Sequence, residues 1–230
     1  MKRLLVTFGD SWTFGSELDK PSQENWAAQI SKMMDCDYVN MSVPASSIGH
    51  LAVQLFDFLK QHHDSKLIFM VGLSGTTRYL SYCNGKDEFV NITPEAVYCT
   101  QNINPNGRPP EHLPHMGELA KQTYRLVEHV EYNRFLMNQV MFLFQNYCKL
   151  NDIDLIFFSY FDYLEPSEII DKTKLYPISI TKALTNREYS IPEIRENEYF
   201  KDTLFHPNAM GHTKIAEILY EFYTKNYPRD

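Results

Sequence analysis

Cysteine is scarce and scattered in this 230-residue chain: Cys36, Cys83, Cys99 and Cys148, with no close pair. That spacing argues against a disulfide framework or a zinc site and fits reduced, buried thiols. Long apolar runs are also missing. Met1-Lys2-Arg3 is basic, but the run Leu4-Leu5-Val6 behind it is far too short for a signal-peptide core. Nowhere do apolar residues approach the roughly 18 in succession that a membrane helix needs. A cytoplasmic protein with no membrane insertion is expected, and the sequons at Asn40 and Asn91 are then chance. Basic charge is short as well: 22 Lys and Arg against 29 Asp and Glu leave a formal charge of -7. Without clustered cations to engage a phosphate backbone, no nucleic-acid partner is expected. Internal repeats and low-complexity tracts are absent.

What is present is a globular composition, 43% hydrophobic and 22% charged, which excludes a disordered chain. The length suits one domain, 1–230, with a core that needs no disulfide or metal staple. Along it, strand-like and helix-like patterns alternate. Lys2 to Phe8 is apolar and ends at Gly9; Ser22 to Met34 has helical spacing; Tyr38 to Val43 reads as a short strand. Ser46-Ser47 caps a helix from Ile48 to about His63, and the runs Leu67 to Val71 and Ile153 to Tyr160 read as buried strands. A long helical stretch spans Glu118 to about Leu150, and a last helix runs from about Met210 to Tyr223. Continuous apolar strands between amphipathic helices predict an α/β fold with a parallel sheet covered on both faces. Two turn-rich stretches, near 84–117 and 164–200, read as irregular insertions, the first rich in Asn, Pro, Gly and His.

Gly9-Asp10-Ser11-Trp12-Thr13-Phe14-Gly15 follows the first strand directly. In open α/β sheets ligands bind beyond the carboxyl ends of the strands, so a hydroxyl placed there stands where chemistry is expected. A serine on a tight strand-to-helix turn presents its side chain to a substrate while its own N–H faces a developing oxyanion. Near the other end, Asp202-Thr203-Leu204-Phe205-His206-Pro207-Asn208 precedes Gly211-His212 and the last helix. Histidine is the side chain best suited to take a serine proton near neutral pH, Pro207 would stiffen its loop, and a carboxylate close before it would fix the tautomer. The blander roles are a helix cap for Ser11, a structural acceptor for Asp10 and a helix-start position for His212. His112 and His115 have metal-like spacing without a nearby third ligand, which favours solvated loop residues; no metal and no cofactor are expected. Arg78 suits either an acidic substrate group or an ion pair. Tyr160, Phe161, Asp162 and Tyr163, after an apolar strand, either line the site or close the core.

The Gly-Asp-Ser block near one end and the Asp-to-His-Pro block near the other resemble those of the SGNH hydrolase superfamily, the GDSL-type esterases and lipases. The resemblance implies a three-layer, flavodoxin-like α/β/α sandwich with a parallel sheet of about five strands. It further implies a nucleophile at Ser11 and a general base at His206. The Gly-x-Ser-x-Gly elbow of α/β-hydrolases is absent. Three positions depart from the family pattern. Ala45, in Asn40 to Ser47, stands where the second block has the glycine whose N–H helps build the oxyanion hole. Ser74, in Gly72 to Arg78, stands where the third block has an asparagine, with Ser74 or Thr76 as the substitute donor. Asp202 is four residues before His206 where the family has three; Thr203 holds the family position, and Asp202 is taken as the residue that orients His206.

On that resemblance, the expected activity is hydrolysis of a carboxylic ester through an acyl-enzyme. The substrate would be a small-molecule or carbohydrate ester, with O-acetyl groups on carbohydrate favoured. The alternative is a catalytically weakened SGNH-like domain that binds a glycan or a partner.

Overall fold

The computed structural model describes residues 2–61, 65–74, 79–83, 88–92, 130–161, 165–186, 197–200 and 206–228. The first apolar run forms strand β1 (Arg3–Phe8), and the short helix α1 (Ser11–Phe14) follows the turn beyond it. The helical pattern expected over 22–34 divides into α2 (Pro21–Glu24) and α3 (Trp26–Met34). Asn25 makes the break: its backbone is extended and its side chain accepts from Ala28 N–H at 2.7 Å, capping α3. Next come β2 (Asp37–Asn40), α4 (Ile48–Leu59, capped by Ser47) and β3 (Lys66–Leu73). A two-stranded antiparallel hairpin follows, β4 (Tyr79–Cys83) with β5 (Glu88–Ile92), so the stretch expected to be irregular from residue 84 contains a strand. Helix α5 (Val130–Leu150), β6 (Asp154–Ser159), α6 (Ile180–Thr185) and α7 (Ala209–Asn226) follow among the described residues.

The main sheet has the order β2-β1-β3-β6 and is parallel throughout. Among the described residues it holds four strands where about five were expected. A remnant of the fifth is visible where Leu175 bridges in parallel to Phe157 and Tyr176 N–H donates to Phe157 C=O at 2.8 Å. Pro177, the next residue, has no N–H with which to extend that ladder.

Alternate residues of each strand enter two cores. Leu4, Val6, Phe8, Phe69, Val71, Leu155 and Phe157 pack under α4 and α5, and Leu5, Ile68, Met70, Ile156 and Phe158 pack under α3, α6 and α7. This three-layer α/β/α sandwich explains the unbroken apolar runs, because a strand buried on both faces has no polar side. Residues 165–186 contribute to both cores, Ile170 and Leu175 to the first and Ile180 and Leu184 to the second. Cys148 is a thiol buried among these residues, where burial raises its pKa, and Cys36 is half-buried; neither forms a disulfide among the described residues. Among the described residues no helix is long and apolar enough to cross a membrane.

The strand order reverses direction between β1 and β3, since the chain leaves β1 for β2 on one side and returns to β3 on the other. Such a switch point opens a crevice at the carboxyl ends of the two strands.

Candidate functional site

β1 delivers Gly9-Asp10-Ser11 to that crevice. Glycine is required at position 9 by space, because a Cβ would meet Thr13 Oγ1 at 2.0 Å. Asp10, fully buried, is the N-cap of α1, and its Oδ1 accepts from Trp12 N–H at 3.0 Å. Asp10 is thus a structural acceptor bracing the turn, and the cap role considered for Ser11 belongs to its neighbour. Ser11 opens α1, nearly buried, with its N–H in the first turn where no intrahelical carbonyl takes it up. Gln54 on α4 clamps the same turn. Its Oε1 accepts from Gly9 N–H at 3.0 Å, and its Nε2 donates to Gly9 C=O and to Ser46 Oγ, each at 2.9 Å.

The Ser46 contact ties the serine turn to the loop after β2. Val43 N–H donates to Gly9 C=O at 3.1 Å, and Asn40 Nδ2 donates to Thr13 C=O at 3.0 Å. Within this loop Ala45 has φ 62°, a left-handed conformation that glycine adopts freely and that costs other L-residues about 1–2 kcal/mol. The backbone is therefore shaped as for a glycine, although alanine occupies the position. Ser74 lies one residue beyond β3, buried, and its hydroxyl has no hydrogen-bond partner among the described residues. A buried hydroxyl in that state costs about 1–3 kcal/mol, which a ligand oxygen arriving in the crevice would recover.

His206 comes from the other end of the chain. Phe200 and Pro207 form an antiparallel bridge, and Asn208 N–H donates to Tyr199 C=O at 2.9 Å. The Asn208 side chain caps α7 by accepting from Gly211 N–H at 2.9 Å and donates to Glu198 C=O at 2.6 Å. The Phe200 ring packs against Trp12, with centroids 5.5 Å apart, so this loop sits against the residue next to Ser11. His206 Nδ1 lies 3.3 Å from Glu17 Oε2, and the two side chains are 15% and 19% exposed.

Behind Ser11 runs a buried polar group. Tyr160 OH and Thr13 Oγ1 are 2.5 Å apart, and Trp26 Nε1 donates to the same Tyr160 oxygen at 3.2 Å. Burial, and then the nearby Asp10 carboxylate, raise the Tyr160 pKa, so the phenol keeps its proton. His212, fully buried within α7, accepts from Trp26 N–H through Nδ1 at 3.2 Å. Its pKa is pushed down to about 3, by burial first and by the neighbouring His206 second.

The structure therefore sets Ser11, Ala45 and Ser74 on the loops after β1, β2 and β3, and brings the His206 loop against Trp12 and Glu17. Tyr160 closes the core under the serine turn, and Phe161 packs on Trp12 with centroids 4.9 Å apart. Asp202, Thr203, Thr76, Arg78, His112, His115, Asp162, Tyr163 and Cys99 lie outside the described residues, as does the Cys83 side chain. Among the described residues no cluster of His, Cys, Asp or Glu could hold a metal. Sequence reasoning passed over Gln54 and Glu17. Gln54 had a signal, a polar residue on the stripe of Leu51, Leu55 and Phe58; Glu17 had none, because its partner is remote in sequence.

No family model matches this sequence, and no curated protein matches it. Among solved structures the chain is similar to a psychrotrophic esterase from Pseudoalteromonas sp. The TM-score is 0.46 and the identity 12%, covering 96% of this chain and 97% of that one. It is also similar to a member of the lipolytic protein G-D-S-L family from Veillonella parvula, with TM-score 0.42 and 13% identity over 97% and 99% of the two chains. A third is a catalytic mutant of an acetylxylan esterase from Geobacillus stearothermophilus, with TM-score 0.38 and 12% identity over 96% and 93%.

Proposed function

We propose that this protein is a serine hydrolase of SGNH type acting on carboxylic esters. The observation that carries the reading is the convergence at the switch point: the loops after β1, β2 and β3 bring Ser11, the left-handed Ala45 and the buried Ser74 hydroxyl to one edge, and the His206 loop docks beside them. In this reading Ser11 Oγ attacks the ester carbonyl while its proton passes to His206. The backbone N–H groups of Ser11 and Ala45, with the Ser74 hydroxyl, hold the negative charge that develops on the carbonyl oxygen. The bond to the alcohol then breaks, and His206 returns the proton to the departing oxygen. Water, deprotonated by His206, next attacks the acyl-enzyme and frees Ser11. A carboxylate at the other ring nitrogen would hold His206 in the required tautomer, and Asp202 is the candidate from the sequence pattern. None of these steps calls for a metal or an organic cofactor. The resemblance favours small acyl esters, O-acetyl groups on carbohydrate among them.

Ser74 also supports a second reading, a weakened domain that binds a glycan without turnover, since a serine replaces the family's asparagine. A fluorophosphonate probe separates the two. Hydrolase function predicts covalent labelling of the native protein, lost in Ser11→Ala, together with turnover of p-nitrophenyl acetate. Folded protein that neither labels nor turns over would sink the enzyme and leave the binding domain.

A further inference from the structure

We infer that Glu17 is the carboxylate that positions His206. The inference rests on the hydrolase reading above and names the residue that completes its base. Three observations carry it. Glu17 Oε2 is 3.3 Å from His206 Nδ1, within ion-pair distance but not aligned as a hydrogen bond, so a small rotation of either side chain would form one. Both side chains are mostly withdrawn from water, so this is not one of the surface pairs that solvent screening renders negligible. Glu17 also holds a left-handed backbone, φ 69°, a conformation that persists in a non-glycine residue only where the surroundings enforce it.

The enforcement is visible in the turn itself. Gly15 N–H and Ser16 N–H both donate to Ser11 C=O at 3.0 Å, Leu18 N–H donates to Gly15 C=O at 3.2 Å, and Leu18 is buried. A Cβ at Gly15 would meet Asn25 Cβ at 2.9 Å, so the turn is held close against the cap of α3. One short segment thus carries the nucleophile at its start and the partner of the base at its end. Any stretching or rotation of the turn moves both.

The chemistry follows from imidazole having two nitrogens. A carboxylate at Nδ1 accepts that nitrogen's proton in a hydrogen bond and leaves the Nε2 lone pair to take the serine proton; when the ring is doubly protonated, the same carboxylate balances its charge. Among the described residues His212 is a further titratable group near His206, and burial keeps it neutral. Glu17 is therefore a positioning residue that acts through His206.

The test uses the full chain with Glu17→Gln, Glu17→Ala and Glu17→Asp, and with Asp202→Asn as contrast. Two readouts are taken: kcat and KM on p-nitrophenyl acetate, and the tautomer of the His206 ring from its long-range proton–nitrogen NMR correlations, which need no turnover. Glu17→Ala is expected to lower kcat about 10- to 100-fold with little change in KM, as loss of a carboxylate that balances the charge of the imidazolium does. It should also move the ring from the Nδ1–H to the Nε2–H tautomer. Glu17→Gln, isosteric and able to accept, should keep the tautomer and lose part of kcat; Glu17→Asp should recover part of what Glu17→Ala loses. The loss from Glu17→Ala should exceed that from Asp202→Asn. An unchanged tautomer and kcat in Glu17→Ala overturn the inference, as does tautomer loss in Asp202→Asn alone. If the native protein shows no turnover, the hydrolase reading fails by itself, and the NMR readout still decides whether Glu17 sets the ring.

Discussion

Between the sheet and helices α4 and α5 the core is rich in aromatic residues. Phe8 meets Phe58, Phe69 and Phe144 edge-on, with centroids 6.2, 5.0 and 5.0 Å apart, and Gln54 is the polar group that reaches its edge. On the opposite face the large side chains are Trp12, Trp26 and Tyr160, whose packing is threaded by the contacts among Tyr160, Thr13, Trp26 and His212. Among the described residues the first face is held mainly by packing. The second also fixes directions, since the buried hydrogen bonds of Tyr160, Thr13, Trp26 and His212 hold their side chains in one orientation. It is this second face that lies under Ser11 and carries α7, with His206 just before it. The comparison teaches that volume on one side stabilises the sandwich, while hydrogen bonding on the other holds the crevice in register.

The comparison breaks first at Phe144. It is fully buried, edge-on to Phe8 and, at 6.4 Å, to both Phe69 and Phe157. Phe144→Ala should cost about 3–5 kcal/mol in urea unfolding, the usual range for emptying such a site. The folded variant should still react with the fluorophosphonate at the native rate. A loss below about 1 kcal/mol, or a slowed reaction in protein shown to be folded, would mean that the two faces are not separable in this way.

The polar face should show itself through pH. Unfolded, His212 titrates near its ordinary value of 6.5; folded, it titrates near 3. Between these values the unfolded chain binds a proton that the folded chain refuses, so stability is full above about pH 6.5 and falls as the pH drops. Its share of the slope is about 1.4 kcal/mol per pH unit between roughly pH 6 and pH 4. His212→Asn, which cannot titrate, should remove that share, seen as the difference between the two proteins' unfolding curves across the range. Equal slopes in both would show that His212 is not the buried neutral group described.

Much of this was readable from the residues alone, for identifiable reasons. Strands such as Leu4 to Phe8 and Leu67 to Val71 are buried on both faces, so their apolar runs announce a parallel sheet. Ser11 and His206 were nameable from their residue types beside a strand end and before the last helix, and Ala45 and Ser74 only through the family resemblance. What was hidden depends on contacts far apart in sequence or on backbone angles. Nothing in Gly15-Ser16-Glu17-Leu18 says that its carboxylate meets a histidine near the other end, and no propensity assigns φ 62° to an alanine. Asn25 shows the intermediate case: a cap signal is present in its residue type, but helical spacing continues on either side and masks the break.

Ser74 offers the smallest effect and the sharpest one, because stability and activity should move in opposite directions. Its hydroxyl is buried and without a partner among the described residues, so the folded protein bears the cost of dehydrating it. Ser74→Ala removes that cost with little change of volume and should raise the unfolding free energy by about 1 kcal/mol. If the same hydroxyl is the donor that meets the oxyanion, kcat on p-nitrophenyl acetate should fall about 10- to 100-fold, at or below the usual loss for an oxyanion donor because two backbone N–H groups remain. A gain in stability with unchanged turnover would show the hydroxyl to be idle and leave the oxyanion to Ser11 and Ala45. A loss of stability would show that the folded protein supplies Ser74 with a partner, so that it serves the fold before it serves any substrate.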